Sequence, residues 1–329
     1  MFIPHSYSLA LALMLLSMFS WGSWANTQKA ARGWRFELFY WDYVWGILIC
    51  ALAIGLTLGR SQPGDTDSFF NNFGSASAGN YALAFMGGVV FNVANMLLVA
   101  AIAIAGMAVA FPIGIGLALV IGTFLNYLIA PNGNPLLLFG GVGLVVIAII
   151  LDALAYRGLA GSGSASRKGI LLSLLCGIGM GLFYPFVAEA LASDRHLVPY
   201  TVAVVFAFGV LVSNLPVNYA WMRRPVSGSP LALTDYFSGT SLLHFWGIAG
   251  GIVWGVGTIS NFVASYARMV GPAASYALGQ GATMISALWG VFIWKEFRGA
   301  GPRVKRLLVL MFAFFIAGLA AIALAPVIR

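Results

Sequence analysis

The sequence predicts an all-α, polytopic membrane protein with ten transmembrane helices, arranged as two inverted five-helix repeats. Its composition decides the class: 61% of the 329 residues are hydrophobic, 8% are charged, and the mean hydropathy is +0.94. Soluble globular domains usually carry about 25% charged residues, so a chain this poor in charge could not keep a surface in water. The number of apolar runs and a recurrence between the two halves predict the rest of the architecture.

Ten apolar runs are long enough to cross a bilayer, which takes roughly 20 helical residues for about 30 Å of hydrocarbon. The run at 7–27 also resembles a secretory signal peptide, but residues 1–28 contain no Lys or Arg and therefore lack the basic segment that such a signal needs. We expect this run to remain as the first span. The ten predicted spans are 7–27, 40–59, 82–106, 109–130, 135–156, 169–190, 198–220, 242–264, 271–294 and 305–327.

The distribution of positive charge predicts the orientation. The loops after the odd-numbered spans contain thirteen of the 17 Lys and Arg residues, and the opposite side contains four. Because positively charged loops stay in the cytoplasm, we expect both termini outside the cytoplasm, in an inner or plasma cell membrane. The same distribution argues against nucleic acid as a partner of this chain of net charge +8, since the cations lie in short loops beside the lipid bilayer.

A recurrence between the two halves predicts an internal repeat. The stretch GGVVF at 87–91 returns as GGIVW at 250–254, an offset of 163 residues. Gly-rich membrane helices also resemble one another for packing reasons alone, which is the alternative explanation. Two further pairs share an offset of 160, namely Pro112 with Pro272 and Thr123 with Thr283.

We therefore expect a first five-helix repeat at 1–160, a cytoplasmic linker at 161–168 and a second five-helix repeat at 169–329. Because each repeat has an odd number of spans, the second enters the membrane from the opposite side. Secondary transporters use this architecture for alternating access.

Polar side chains near the middle of the spans are the candidate substrate-binding residues. An unpaired amide in hydrocarbon is costly, so these groups must face one another, a neighbouring helix or a watery cavity. Amides beside flat aromatic faces suit a planar, neutral, hydrogen-bonding solute, and they also suit a sugar ring. The alternative is that they only hold helices together. The candidates are Ser20, Trp24, Asn92, Asn95, Tyr184, Trp254, Thr258, Asn261, Gln280 and Thr283.

Ionisable residues near or inside the spans are candidates for ion coupling, with a proton or sodium as the coupling ion. Glu189 and His244 are the two proton-coupling candidates. Asp42, Asp152 and Glu296 lie at cytoplasmic ends where Lys and Arg are plentiful, so we expect structural ion pairs from them.

Catalysis has no support in the sequence. It contains no metal-ligand spacing, nucleophile motif or catalytic dyad, and it predicts neither an enzyme nor a bound cofactor or metal. The stretch GSGSASRKG at 161–169 does not fit a phosphate-binding loop, because Lys168 is preceded by Arg and followed by Gly. Cys50 and Cys176 lie in apolar runs and are expected to pack in the core. A monomer and a homodimer both remain open.

Five stretches carry a likeness to a known family: LTLGR (56–60), GGVVFNVAN (87–95), VIGTFLNYL (120–128), GLFYPF (181–186) and ALWGVFIWKEFRGAG (287–301). The most specific signals are VIGTFLNYL and Gln280, which lies nine residues before Trp289. On these residues the chain resembles the ureide permease family of the drug/metabolite transporter superfamily, with rhamnose–proton symporters and glucose/ribose uptake proteins as near relatives.

The resemblance implies a ten-helix, 5+5 fold and proton-coupled uptake of oxo-heterocycles such as allantoin, uracil and xanthine. Two features depart from the family pattern. Plant members carry a long cytoplasmic loop with a Walker-like motif between spans 5 and 6, and this loop is short here. In addition, SLLHFWG around His244 is closer to the rhamnose transporters.

The sequence thus predicts a secondary active transporter that imports a small polar metabolite. The leading substrate class is an amide-bearing heterocycle, such as allantoin, uracil or a related purine or pyrimidine derivative. Uptake of a rhamnose-, ribose- or glucose-type sugar and export of a drug or metabolite are the alternatives. A membrane scaffold or sensor is a rival from another class, but it would not need a repeat with convergent polar residues.

Overall fold

The computed structural model describes residues 1–60, 68–160 and 167–328. Across these residues the secondary structure is helical without strands, and ten helices are long and apolar enough to cross a membrane. The all-α fold class and the number of spans are therefore confirmed. Most of the expected linker, at 161–166, lies outside the described residues.

The observed helices begin and end within four residues of the predicted boundaries. Spans 1 to 5 are Tyr7–Ser23 continued by Ala25–Ala30, then Phe36–Thr57, Ala78–Ala105, Met107–Ile129 and Pro135–Ala160. Spans 6 to 10 are Arg167–Ala192, Pro199–Arg223, Ser241–Tyr266, Pro272–Ile293 and Pro302–Leu324. The short helices Phe69–Ser75 and Leu233–Phe237 follow spans 2 and 7.

Local sequence signals explain several of these boundaries. The side chains of Ser6 and Ser77 cap spans 1 and 3 by accepting hydrogen bonds from backbone N–H groups of the first turn. Pro199, Pro272 and Pro302 occupy the first turn of spans 7, 9 and 10, where proline's missing N–H costs no intrahelical bond.

An even number of crossings places both termini at one end of the bundle, which we call the terminal end. The opposite end, with the loops after the odd-numbered spans, is the basic end. Which of these ends faces the cytoplasm remains a prediction from the loop charges.

The principal helix contacts are unchanged when each span of one half is exchanged with its counterpart in the other half. The contact between spans 2 and 8 corresponds to the contact between spans 7 and 3. The contact between spans 3 and 6 likewise corresponds to the contact between spans 8 and 1. The pairs 2–7, 4–9 and 5–10 map onto themselves. This pattern is compatible with two inverted five-helix units, and the division at 161–168 remains a prediction.

Four glycines form the tightest crossings between spans 2 and 8 and between spans 3 and 7: Gly46, Gly88, Gly209 and Gly251. An added β-carbon would meet a backbone carbonyl oxygen of the facing helix, at 2.3 Å for Gly46 on Ile248, 2.1 Å for Gly88 on Phe206, 2.2 Å for Gly209 on Phe85 and 2.0 Å for Gly251 on Tyr43. Each glycine and each facing residue of one crossing lies 163 positions from its counterpart in the other, which is the offset of the GGVVF recurrence.

Candidate functional site

A cavity of about 440 Å³ extends from the middle of the bundle to its basic end. Its deep part is lined by Asn95, Trp254 and Gln280, which lie near the middle of spans 3, 8 and 9, and its mouth is lined by Lys29 and Glu296. Small-molecule sites typically enclose about 300–1,000 Å³, so the volume suits a solute of one or two rings.

Five of the ten candidate binding residues line this cavity: Trp24, Asn95, Trp254, Gln280 and Thr283. Span 9 is interrupted at Gln280, between the helices Pro272–Gly279 and Ala282–Leu288. Among the described residues, the side-chain amide of Gln280 has no hydrogen-bond partner, which leaves its donor and its acceptor for a solute. Thr283 lies beside it and donates to the backbone oxygen of Gln280 at 3.1 Å.

The side-chain amide of Asn95 is fixed by a hydrogen bond to a residue outside the cavity lining. Its Nδ2 donates to the hydroxyl of Tyr40 at 3.1 Å, and both residues are buried. With Nδ2 occupied, Asn95 Oδ1 is left as a hydrogen-bond acceptor at the cavity wall. A solute N–H group is the matching donor.

Aromatic rings form most of the deep wall. The Trp254 ring stacks on Phe91, with centroids 4.3 Å apart, and lies roughly parallel to Trp21 at 6.2 Å. Trp24 packs on Tyr43 at 4.9 Å. Such faces favour a flat solute through stacking and apolar contact. Five tryptophans line the cavity: Trp21, Trp24, Trp254, Trp289 and Trp294.

The other five candidates lie outside the cavity lining: Ser20, Asn92, Tyr184, Thr258 and Asn261. Thr258 accepts a hydrogen bond from Trp21 Nε1 at 2.9 Å and so holds a cavity-lining ring from behind. Both polar atoms of the Asn92 amide are buried without a hydrogen-bond partner among the described residues. Ser20 packs against Gly257 where span 1 crosses span 8.

Tyr184 and Asn261 belong to a buried polar network on the terminal side of the cavity. The Tyr184 hydroxyl donates to Asn261 Oδ1 at 2.5 Å, and Asn261 Nδ2 donates to Ser17 Oγ at 3.0 Å. Ser275 donates to the backbone oxygen of Asn261 at 3.0 Å. These bonds join spans 6, 8, 1 and 9 between the cavity and the terminal end.

The mouth of the cavity is crossed by an ion pair. Lys29 Nζ lies 2.6 Å from Glu296 Oε1, and the Tyr156 hydroxyl donates to Glu296 Oε2 at 2.7 Å. Burial raises the pKa of Glu296, but the hydrogen bonds from Lys29 and Tyr156 outweigh it, so the pKa lies below its usual value. Lys29 also lies 4.9 Å from the ring centroid of Trp294.

Known proteins similar to this chain show its family. The model of the ureide permease family matches residues 39–165 and 157–325, almost the whole chain. The chain belongs to the ureide permease family. This membership confirms the resemblance drawn from the sequence, and it indicates a multi-pass membrane permease for a small molecule rather than an enzyme.

Curated relatives of this ureide permease family member match it end to end. Ureide permease 4 of Arabidopsis thaliana is 25% identical, with 97% of this chain and 98% of the relative covered. Ureide permease 1 of Arabidopsis thaliana is 24% identical, with 98% of each covered. A solved protein crystal structure shares the fold with a TM-score of 0.63 at 16% identity, covering 96% of each chain.

Neither proton-coupling candidate of this family member lines the cavity. Glu189 is exposed near the terminal end of span 6. His244 Nδ1 lies 2.9 Å from Asp42 Oδ2 at the basic end of spans 2 and 8. The expected ion pair is present for Glu296, which binds Lys29. Asp42 instead contacts His244, which carries a charge only when protonated, and the Tyr236 hydroxyl. The expectation was wrong for Asp152, which has no ion-pair partner among the described residues.

Sequence reasoning missed three residues that shape the cavity: Tyr40, Phe91 and Lys29. Tyr40 and Phe91 sit in apolar runs, and nothing local separates a cavity aromatic from a core aromatic. Lys29 counted only as a topology signal. Its pairing with Glu296 depends on a tertiary contact between residues 267 positions apart.

Proposed function

We propose that this chain imports a small, neutral, amide-bearing heterocycle across a cell membrane. The substrate class is a ureide such as allantoin, or a related uracil- or purine-type compound. The observation that carries the proposal is the cavity itself, in which free hydrogen-bonding groups of Asn95 and Gln280 lie beside the Trp254 ring. The matched relatives named ureide permeases support the same class.

The polar groups of the cavity complement the chemistry of a ureide. A urea unit in a ring presents N–H donors and C=O acceptors in one plane. Asn95 Oδ1 can accept from an N–H group, and the Gln280 amide can both donate and accept. The flat face of the solute would lie against Trp254 and Phe91.

A neutral solute fits the charges of the cavity better than an ionic one. Lys29 and Glu296 are the charged residues among its lining, and they neutralise each other at the mouth. A buried ionic solute would need an opposite charge at the deep end to offset its desolvation. A sugar would also be neutral, so the distinction between a ureide and a sugar falls to experiment.

Alternating access is the proposed mode of transport. The cavity opens towards the basic end, which the loop charges predict to be cytoplasmic. On the opposite, terminal side, the hydrogen-bond network of Tyr184 and Asn261 holds the helices together. Opening to the terminal end would require this network to separate while the mouth at Lys29 and Glu296 closes. Two inverted repeats provide two related arrangements for such an exchange.

The test is counterflow of radiolabelled allantoin in proteoliposomes containing the purified protein, which requires no gradient of a coupling ion. We expect saturable exchange that unlabelled uracil or xanthine competes with and that ribose or rhamnose leaves unchanged. Gln280→Ala should reduce exchange at least tenfold, while Thr234→Ala, an exposed position after span 7, serves as the control. Competition by the sugars together with no allantoin exchange would overturn the ureide assignment.

A further inference from the structure

Three carboxylate side chains are buried among the described residues: Glu37, Asp42 and Asp152. Glu37 is bound by the Arg35 guanidinium, with 2.5 Å between the closest atoms. Asp42 accepts a hydrogen bond from the Tyr236 hydroxyl on Oδ1 at 2.6 Å, and its Oδ2 contacts His244. Asp152 differs from both.

Asp152 is 7% exposed, and its Oδ1 is buried without a hydrogen-bond partner among the described residues. It lies on span 5, one helical turn before Tyr156, so the two side chains share a face of the helix. That face turns towards Glu296, to which the Tyr156 hydroxyl donates. Asp152 therefore sits just behind the cavity mouth, one turn deeper in the membrane.

The charges around Asp152 come from three other elements. Glu296, after span 9, is negative and accepts a hydrogen bond from Tyr156, which lies on the same face of span 5 as Asp152. Lys29, in the last turn of span 1, is already bound to Glu296 at 2.6 Å. Span 4 has no ionisable residue from Met107 to Asn126. The remaining cations at this end of spans 5 and 10 are exposed: Arg157, Arg303, Lys305 and Arg306.

A carboxylate in this position is unfavourable when ionised. It is largely removed from water, its Oδ1 has no donor or counter-ion among the described residues, and a second carboxylate lies on the same side of span 5. The neutral acid removes the charge and supplies an O–H donor. An acid that holds a proton in one conformation and releases it to water in the other can couple proton movement to the exchange between the two conformations.

We propose that Asp152 is the proton-binding site of the transport cycle. Asp152 holds a proton, as a neutral carboxylic acid, before the basic end opens, and in the conformation open to the basic end water at the mouth takes up that proton. Loss of that proton restores one negative charge behind Glu296. This charge competes with Glu296 for Lys29 and for the Tyr156 hydroxyl, so proton occupancy is linked to the contacts that cross the mouth. The inference rests on the proposed transport function.

Asp152→Asn tests the site, and Asp194→Asn is the control, because Asp194 is an exposed carboxylate after span 6, at the terminal end and outside the cavity lining. Because Asp152 does not line the cavity, proteoliposomes containing Asp152→Asn should still exchange allantoin without a gradient. The same variant should lose at least tenfold of the allantoin accumulation that an inward proton gradient drives. Asp194→Asn should keep both exchange and accumulation, and Asp152→Glu should keep coupling with a shifted pH dependence.

Accumulation by Asp152→Asn at the wild-type level would overturn the inference while leaving the proposed function intact. Absence of allantoin exchange in the wild type would instead reject the substrate, and a substrate-free titration then decides the inference. Tryptophan fluorescence of the purified protein should show a pH-dependent step, reported by Trp289 and Trp294 at the mouth. The step should persist in Asp194→Asn and vanish in Asp152→Asn, and its persistence in Asp152→Asn would overturn the inference.

Discussion

The hydroxyl of Tyr40 accepts a hydrogen bond from Asn95 Nδ2 at 3.1 Å, deep in the bundle between spans 2 and 3. Neither residue is adjacent to the other in sequence, yet together they set which atom of the Asn95 amide meets the cavity. Tyr40 therefore acts on a solute through Asn95 rather than by contact.

Replacing Tyr40 with Phe should weaken solute binding without abolishing it. One neutral hydrogen bond contributes about 1 kcal/mol, which corresponds to roughly five- to tenfold in affinity. The measurement is the half-saturation concentration of allantoin counterflow. Tyr81→Phe is the matched control, because the Tyr81 hydroxyl donates to Phe73 at the terminal end, away from the cavity. Equal changes of the half-saturation concentration in the two variants would contradict a positioning role of Tyr40.

The glycine crossings predict a specific pattern of stability. Gly88→Ala and Gly251→Ala would each place a methyl group on a backbone carbonyl, and such overpacking typically costs about 1–3 kcal/mol. Gly140→Ala, on span 5 with no atom within 4 Å of the added carbon, should leave stability unchanged. Thermal unfolding in detergent measures the difference.

The internal repeat also predicts that the two alanine variants have similar effects on thermal unfolding. Gly88 and Gly251 are counterparts at an offset of 163, so their alanine variants should lower the unfolding temperature by similar amounts. A large loss at one position and none at the other would contradict equivalent crossings in the two halves.

The ion pair at the mouth predicts a pH effect of defined sign. Because the pKa of Glu296 in the folded protein is lowered from its usual value of 4.5, its stabilising contribution is complete above that value and is lost as the pH falls through the lowered pKa. The effect should stay under about 1 kcal/mol, since the pair is partly exposed.

Thermal unfolding of wild type and Glu296→Gln over the acid range measures this contribution. Glu296→Gln should be less stable than the wild type near neutral pH, and the difference should shrink as both are acidified. A difference that grows on acidification would have the opposite sign to the one expected from a lowered pKa.

Much of the fold could be predicted because span length and hydropathy are local properties of the chain. The face of a helix that meets a cavity is not local. Asn92 and Asn95 are three residues apart and point in related directions, yet Asn95 reaches the cavity and Asn92 does not. Trp254, Thr258 and Asn261 lie on one face of span 8, but only Trp254 lines the cavity. Thr258 lies behind the cavity wall, where it binds Trp21, and Asn261 lies on the terminal side of the cavity.

The roles of the ionisable residues depend on tertiary contacts that are not visible in the sequence. Asp42 and Asp152 look alike in sequence, since each lies at the basic end of an apolar run. Only the tertiary contacts separate them, because His244 and Tyr236 reach Asp42, and no described residue binds Asp152 Oδ1.

The central claim is that the cavity beside Asn95, Trp254 and Gln280 holds a neutral ureide, and equilibrium binding tests it most directly. Five tryptophans line the cavity, so their fluorescence should report a bound solute. Titration of the purified protein with allantoin should give a saturable change, and Gln280→Ala should shift its midpoint to at least tenfold higher concentration. A response in Gln280→Ala identical to the wild type, or a saturable response to rhamnose but none to allantoin, would contradict the account.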